Sequence, residues 1–331
     1  MDRDKNLFHG WHRVDNSYAR HNEDWFTFLD RVDDVCFARV RSLLNNWFVE
    51  LPKDKARTTR AELTSRKPAK VDAAFWELYL HAAFLRTPLD VPLEQVTSST
   101  GSNVDFVLSP PGGDPLFSVD AVAVGDPPAA RARARRLKAA WDALNQETAS
   151  EFFVWIVRVE REGKNTPSGT RLRKEIIPWL ATLDRATVLR DTSSGASRST
   201  LPECLIDVDD GRFLVRAVPL SDNAAARSDT RRRLVGVEPI ETAWGGSAAA
   251  VLGGLRRKAA AKYDSLNLPY VVALVDLHRF SSGEDVLMDT LYGDDAVQVV
   301  FRGDEIVSTQ GIRKPNGFWQ PSKNTRVSAV L

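Results

Sequence analysis

Partway through the first half of the chain the spacing of apolar residues changes, and this change limits the fold more than any other feature. Between about Asp72 and Leu85, Phe75, Leu78, Tyr79, Ala82 and Leu85 recur at three- and four-residue steps, as on one face of a helix. Pro88 and Pro92 close it. The period then drops to two. Val104, Phe106 and Leu108 alternate with Asn103, Asp105 and Val107, Pro110-Pro111-Gly112-Gly113 makes a turn, and Leu116 to Val124 forms a second strand. Two strands on a short turn form an antiparallel hairpin. Asp126-Pro127-Pro128 opens a basic helix, about Ala129 to Glu147, and Phe152 to Val159 reads as a third strand. The order is helix, strand, strand, helix, strand.

Upstream, about Glu23 to Val49 reads as one helix, capped by Asn22 and ended by Leu51-Pro52. Lys53 to Lys70 is a polar, basic stretch. Downstream, Leu172 to Leu183 reads as a helix broken by Pro178, and Cys204-to-Val208 with Arg212-to-Val218 as a hairpin over Asp209-Asp210-Gly211. Ser247 to Leu266 is a helix, Pro269 to Val275 a buried strand, and Asp285 to Leu291 a short helix. The Ser/Thr-rich stretch Asp191 to Pro202 is a candidate internal boundary. Arg326 to Leu331 reads as a strand running to the last residue, either cut from a longer chain or tucked into a sheet. The expected class is α/β with a mixed sheet. The expected divisions are an N-terminal helical segment over 1–70, an α-β-β-α-β core over 71–160 and a C-terminal α/β region over 161–331.

With 43% hydrophobic and 27% charged residues, the chain can build cores and is not of disordered composition. A net charge of +1 supplies no global field for a polyanion, so any nucleic-acid contact must come from a local patch. Cys36 and Cys204 stand far apart, which disfavours a disulfide framework or a cysteine zinc site. No apolar leader and no stretch of membrane-spanning length are visible, so a cytoplasmic protein is expected.

The pattern puts three acids within this order. Glu77 lies on the helix, Asp105 on the first strand and Asp120 on the second. Each aspartate faces away from its strand's main apolar set, so the two can share a sheet face. Converging carboxylates are what a hard divalent cation needs. Here the chain resembles the PD-(D/E)XK nuclease superfamily, through Glu77 in AAFWELYLHAAF, Asp105 in GSNVDFVL and Asp120 in LFSVDAVAV, over roughly Asp72 to Val159. It is also similar to a group of uncharacterised bacterial proteins with an ELYLH-type helix and an Arg-Val-Ser-Ala-Val-Leu-like tail, which implies no activity.

The first resemblance implies a restriction-endonuclease-like core and a Mg²⁺- or Mn²⁺-dependent endonuclease acting on DNA. Asp105 and Asp120 would hold the metal, with Glu77 supporting it or a water. Two positions depart from the pattern: Val104 replaces the proline before the first aspartate, and Val122 stands where the lysine belongs. In one reading a cation comes from elsewhere, with Lys138 on the following helix as one candidate and Lys258 and Lys262 as others. Alternatively the metal alone suffices, or the site is silent and the fold serves as a nucleic-acid-binding or scaffold subunit with a protein partner. Arg57, Arg60, Arg66 and Lys67, with Arg131 and Arg135 on the basic helix, are the candidate phosphate contacts. His81, four residues after Glu77, reads as an ordinary histidine, as do His9, His12 and His21. Trp244-Gly245-Gly246-Ser247 lacks the Gly-Lys-Ser/Thr of a nucleotide loop.

Overall fold

The computed structural model describes residues 6–65, 67–91, 104–145, 151–161, 163, 165–193, 200–220, 235–237, 246–259, 268–278, 283–319 and 323–331. The elements run α1 Trp25–Arg31, α2 Val35–Val49, α3 Lys53–Leu63, α4 Pro68–Phe84, β1 Phe106–Leu108, β2 Phe117–Val124, α5 Pro128–Leu144, β3 Phe152–Arg161, α6 Gly169–Ala181, α7 Arg185–Ser193, β4 Glu203–Val208, β5 Gly211–Pro219, β6 Val235–Val237, α8 Gly246–Ala259, β7 Tyr270–Asp276, α9 Glu284–Tyr292, β8 Asp295–Arg302, β9 Glu305–Arg313 and β10 Val327–Val330. The class is mixed α/β, with three sheets among the described residues. Among these residues, no helix is long and apolar enough to cross a membrane.

The chain divides into two compact units, and neither follows the divisions expected from the sequence. One comprises residues 1–10, 41–126 and 243–331, the other 11–40 and 127–242. The expected N-terminal segment is therefore shared between the two units. The expected α-β-β-α-β core is cut after β2.

In the first unit the sheet order is β1-β2-β7-β10. β1 and β2 form the expected antiparallel hairpin, with Phe106 opposite Val119. β2 then pairs in parallel with β7 over seven residues, from Ser118 opposite Tyr270 to Val124 opposite Asp276. Both strands are nearly continuous apolar runs, as strands covered on both faces must be. One face packs on α4, through Leu80, Phe106, Val119 and Ala273, and the Trp76 indole N–H donates to the Ala273 carbonyl at 2.9 Å. The other face packs on α8, through Val122, Val124, Val251, Leu255 and Val272. α8 lies so close that a methyl group on Gly254 would be 2.7 Å from a Val124 methyl.

In the second unit the order is β4-β5-β3-β6, and α5, α6 and α7 cover one face through Leu137, Trp141, Leu172, Ile176 and Val188. The expectation that α5 and β3 complete the sheet of the acids is thus corrected. β3 pairs with β5 and β6, while α8 and β7 fill that place beside β2. Where α6 meets α5, a methyl group on Gly169 would collide with Ala143 Cβ. Gly169→Ala is expected to lower stability by about 1–3 kcal/mol through overpacking, measured by urea unfolding.

Other local differences have simple causes. The expected Glu23–Val49 helix is two helices, because Val32 turns extended and is buried, and Asp34 restarts the chain by accepting the Cys36 amide at 2.8 Å. The polar stretch after Pro52 is helical, since Thr59 and Leu63 recur at four residues and bury one stripe. Pro178 does not break α6, whose Leu172, Ile176 and Leu180 keep one face buried through the lost backbone bond. α7 and β6 carry no clear sequence signal, and the β8–β9 hairpin turns over Gly303 at φ 61°.

Candidate metal centre

β2 is the spine of the site. Its alternation puts Asp120 on the face shared with Val122 and Val124, against α8, and burial there leaves the residue 1% exposed. Asp105 lies one residue before β1, and extending the hairpin register by one step sets it across from Asp120. Its Oδ2 accepts the Ala121 backbone N–H at 2.7 Å, which fixes the carboxyl against β2.

A lysine enters from α8. Lys258 Nζ lies 3.0 Å from Asp120 Oδ2 and 3.9 Å from Asp105 Oδ2, so two oxygens converge on one cation. Tyr270, the first residue of β7, adds a third group. Its hydroxyl is 3.0 Å from Asp120 Oδ2 and 3.3 Å from the Lys258 carbonyl, and its single proton serves both acceptors. Tyr270 thereby ties Asp120 to the last turn of the helix that carries Lys258.

The electrostatics follow from this crowding. Burial pushes the Asp105 carboxyl up to about 8. The negative charges of Asp120 and then Glu77 push the same way, Lys258 opposes them, and a side-chain hydrogen bond with Asp120 adds to the rise. At neutral pH Asp105 therefore holds a proton beside Asp120, as two close carboxyls in a dry site must.

Glu77 reaches this field from α4, but its own partner is Lys55 of α3, at 2.9 Å. Among the described residues no three His, Cys, Asp or Glu side chains are grouped to hold a metal ion. The expected three-carboxylate cluster is thus corrected to an aspartate pair with Glu77 held to one side. His81 is buried, its Nδ1 has no hydrogen-bond partner among the described residues, and burial lowers its pKa.

The cation beside the acids is Lys258 and not the expected Lys138. Lys138 is exposed on α5, in the unit that lacks Asp105 and Asp120, and Lys258 holds the place beside them. Lys262 and Arg66 lie outside the described residues, as do Trp244 and Gly245. Of the candidate phosphate contacts, Arg57 is exposed beside Asp54 at 3.4 Å, and Lys67 is exposed before α4. Arg60 is instead a structural residue: it donates to the Asn6 carbonyl at 2.9 Å and lies 5.0 Å over the Phe48 ring. Arg131 is half-buried and Arg135 exposed on α5, so the basic residues are divided between the two units.

Tyr270 and Lys55 were not legible as site residues. Tyr270 begins an apolar run and reads as core, and Lys55 is one of many cations in its stretch. The available signal was parity, since in-register parallel neighbours share a face, and β2 against β7 sets Tyr270 on the face of Asp120. No protein-family model matches the chain, and no curated protein or solved structure is similar to it.

Proposed function

We propose that the chain is a Mg²⁺- or Mn²⁺-dependent phosphodiesterase acting on DNA, on a restriction-endonuclease-like core formed by α4, β1, β2, α8 and β7. The observation that carries this reading is Lys258. An ammonium stands against both aspartates on the face where Val122 leaves none. The five elements keep the helix-strand-strand-helix-strand order of the PD-(D/E)XK resemblance, with residues 127–242 lying between β2 and α8.

The donor set suits a hard cation. Asp105 and Asp120 offer converging oxygens, and Mg²⁺ needs only one or two carboxylates when water and substrate phosphate complete its shell. When bound, such an ion supplies positive charge that polarises a phosphoryl oxygen. Asp105 would hold such an ion in its ionised form, together with Asp120. Lys258 orients the attacking water and offsets charge building on the phosphate. Glu77, steadied by Lys55, holds a water at the edge of the site. Arg57 and Lys67 contact the DNA backbone.

Cleavage of plasmid and linear duplex DNA should require Mg²⁺ or Mn²⁺ and fall by on the order of a thousandfold in Asp120→Asn, whose amide cannot carry the charge that holds the ion. Unchanged cleavage in that variant, with metal present, refutes the assignment.

One observation favours a second reading, a catalytically silent nucleic-acid-binding or scaffold subunit. Lys258 already neutralises the aspartate pair, and Glu77 is already paired. Calorimetry decides between the two. Metal binding by the wild type supports the enzyme. Binding that appears only in Lys258→Met, with metal-independent DNA retention by the wild type, supports the silent subunit.

A further inference from the structure

Asp120 stands on β2, which has β1 on one side and β7 on the other, so its remaining freedom lies in its side chain. The last torsion of an aspartate is soft, and the carboxylate turns over a broad range unless something pins it. Lys258 pins it poorly. Its ammonium rides on a flexible four-carbon stem, and the side chain is 25% exposed. Lys258 is also a cation itself. A carboxylate that turned fully toward it would have less charge to offer a metal ion.

Tyr270 is built differently. The Ser118 N–H of β2 donates to the Pro269 carbonyl just before it at 2.9 Å, and the Tyr270 N–H donates to Ser328 Oγ of β10 at 3.2 Å. The start of β7 is thus held from both sides. The Tyr270 ring is 1% exposed and belongs to the core cluster of Val251, Leu255, Phe318 and Val327. Backbone and ring together fix where the hydroxyl stands, 3.0 Å from Asp120 Oδ2 and 3.3 Å from the Lys258 carbonyl. The carboxylate is the nearer acceptor and the charged one, so it takes the larger share of the single proton.

We infer that Tyr270 is a positioning residue of the candidate metal centre: its hydroxyl holds Asp120 Oδ2 from a rigid strand and keeps the carboxylate from closing on Lys258. This inference rests on the reading of the two aspartates as ligands of Mg²⁺ or Mn²⁺. Tyr270 acts through Asp120, in the way that groups hydrogen-bonded to metal ligands orient them. The same hydroxyl reaches the Lys258 carbonyl, so the acid and the helix carrying its cation share one anchor.

Tyr270→Phe keeps the ring and removes only the hydroxyl. Calorimetric titration of the full chain with Mn²⁺ at neutral pH should show binding weaker than the wild type by about 10- to 100-fold, the range for losing a group that orients a metal ligand. Cleavage should fall more at limiting than at saturating Mn²⁺, because Lys258 remains to act on the substrate. Val251→Ala is the control for packing. Val251 is 1% exposed in the same cluster, and truncating it leaves a cavity without removing a hydrogen bond. That variant should lower the urea midpoint and leave Mn²⁺ affinity unchanged. Equal Mn²⁺ affinity in the wild type and Tyr270→Phe overturns the role of Tyr270 and leaves the metal centre standing. So does a Val251→Ala variant that loses as much affinity as Tyr270→Phe. A wild type that binds no Mn²⁺ overturns the metal reading, and this inference with it.

Discussion

Asp105→Asn is expected to abolish metal-dependent cleavage and yet to make the protein more stable than the wild type at pH 9. In an unfolded chain an aspartate ionises near pH 4. In the folded site burial and two neighbouring negative charges hold the Asp105 proton on up to about 8. Between these values the folded form binds one proton more than the unfolded form, so stability falls as pH rises. The stability supplied by the protonated carboxyl is complete below the unfolded value and is lost as pH climbs through the folded one. The slope is at most about 1.4 kcal/mol per pH unit, and Lys258 shares in setting it. An asparagine keeps the carbonyl that accepts the Ala121 N–H but has no proton to lose. Thermal unfolding of the variant should vary less with pH from 5 to 9 and cross above the wild type on the alkaline side. Cleavage should drop by more than about a hundredfold, the upper loss in metal affinity for mutating a group that merely supports a ligand. A wild-type melting curve that does not weaken from pH 5 to 9, with Asp105→Asn tracking it throughout, would remove the shared proton from the account.

Lys258→Met should damage both stability and activity. Asp120 is buried at 1% exposure, and Lys258 at 3.0 Å is the cation beside it. Removing one member of such a pair strands the other charge in a dry site. Because the lysine side chain is 25% exposed, the expected cost is the low end for a buried pair, about 3 kcal/mol, checked by urea unfolding at pH 7. Single-turnover cleavage should fall by about a hundred- to a thousandfold, the range for removing one group that stabilises developing charge. Lys258→Arg restores the charge with another shape and should recover more stability than activity. Equal urea midpoints for wild type and Lys258→Met would mean that the ammonium contributes nothing to holding Asp120.

How much of this was legible depends on the range of the forces involved. The β1–β2 hairpin and its two aspartates were readable because alternation and the Pro110-to-Gly113 turn are local signals. The choice of helix and strand to complete the sheet was not. After Asp120 the chain offers two similar candidates, a basic helix before Phe152–Val159 and a basic helix before Tyr270–Val275. Both strands are strong apolar runs, and local pattern cannot say which one β2 selects. The structure selects β7, buried on both faces as parallel neighbours are, and sets β3 between antiparallel β5 and parallel β6. The lysine followed the helix. Lys138 is a candidate because α5 comes next in sequence, and Lys258, another of the candidates, takes the place because α8 packs next in space. Glu77 was placed correctly on its helix, but its pairing with Lys55 depends on a helix that the polar composition of residues 53–63 concealed.

The interruption between β2 and α8 has a consequence for biosynthesis. Asp120 and its hydroxyl partner Tyr270 are 150 residues apart. At ribosomal speeds of about 5–20 residues per second, roughly 8–30 s separate the emergence of the two. Throughout that interval β2 exposes a naked strand edge and a lone acidic patch, while the intervening residues 127–242 can already collapse on their own helices. A nascent or prematurely terminated chain ending before α8 would thus keep the β2 edge uncovered and be prone to stick to its neighbours. Asp120 gains its partners Lys258 and Tyr270 only when the last quarter of the polypeptide closes the sheet.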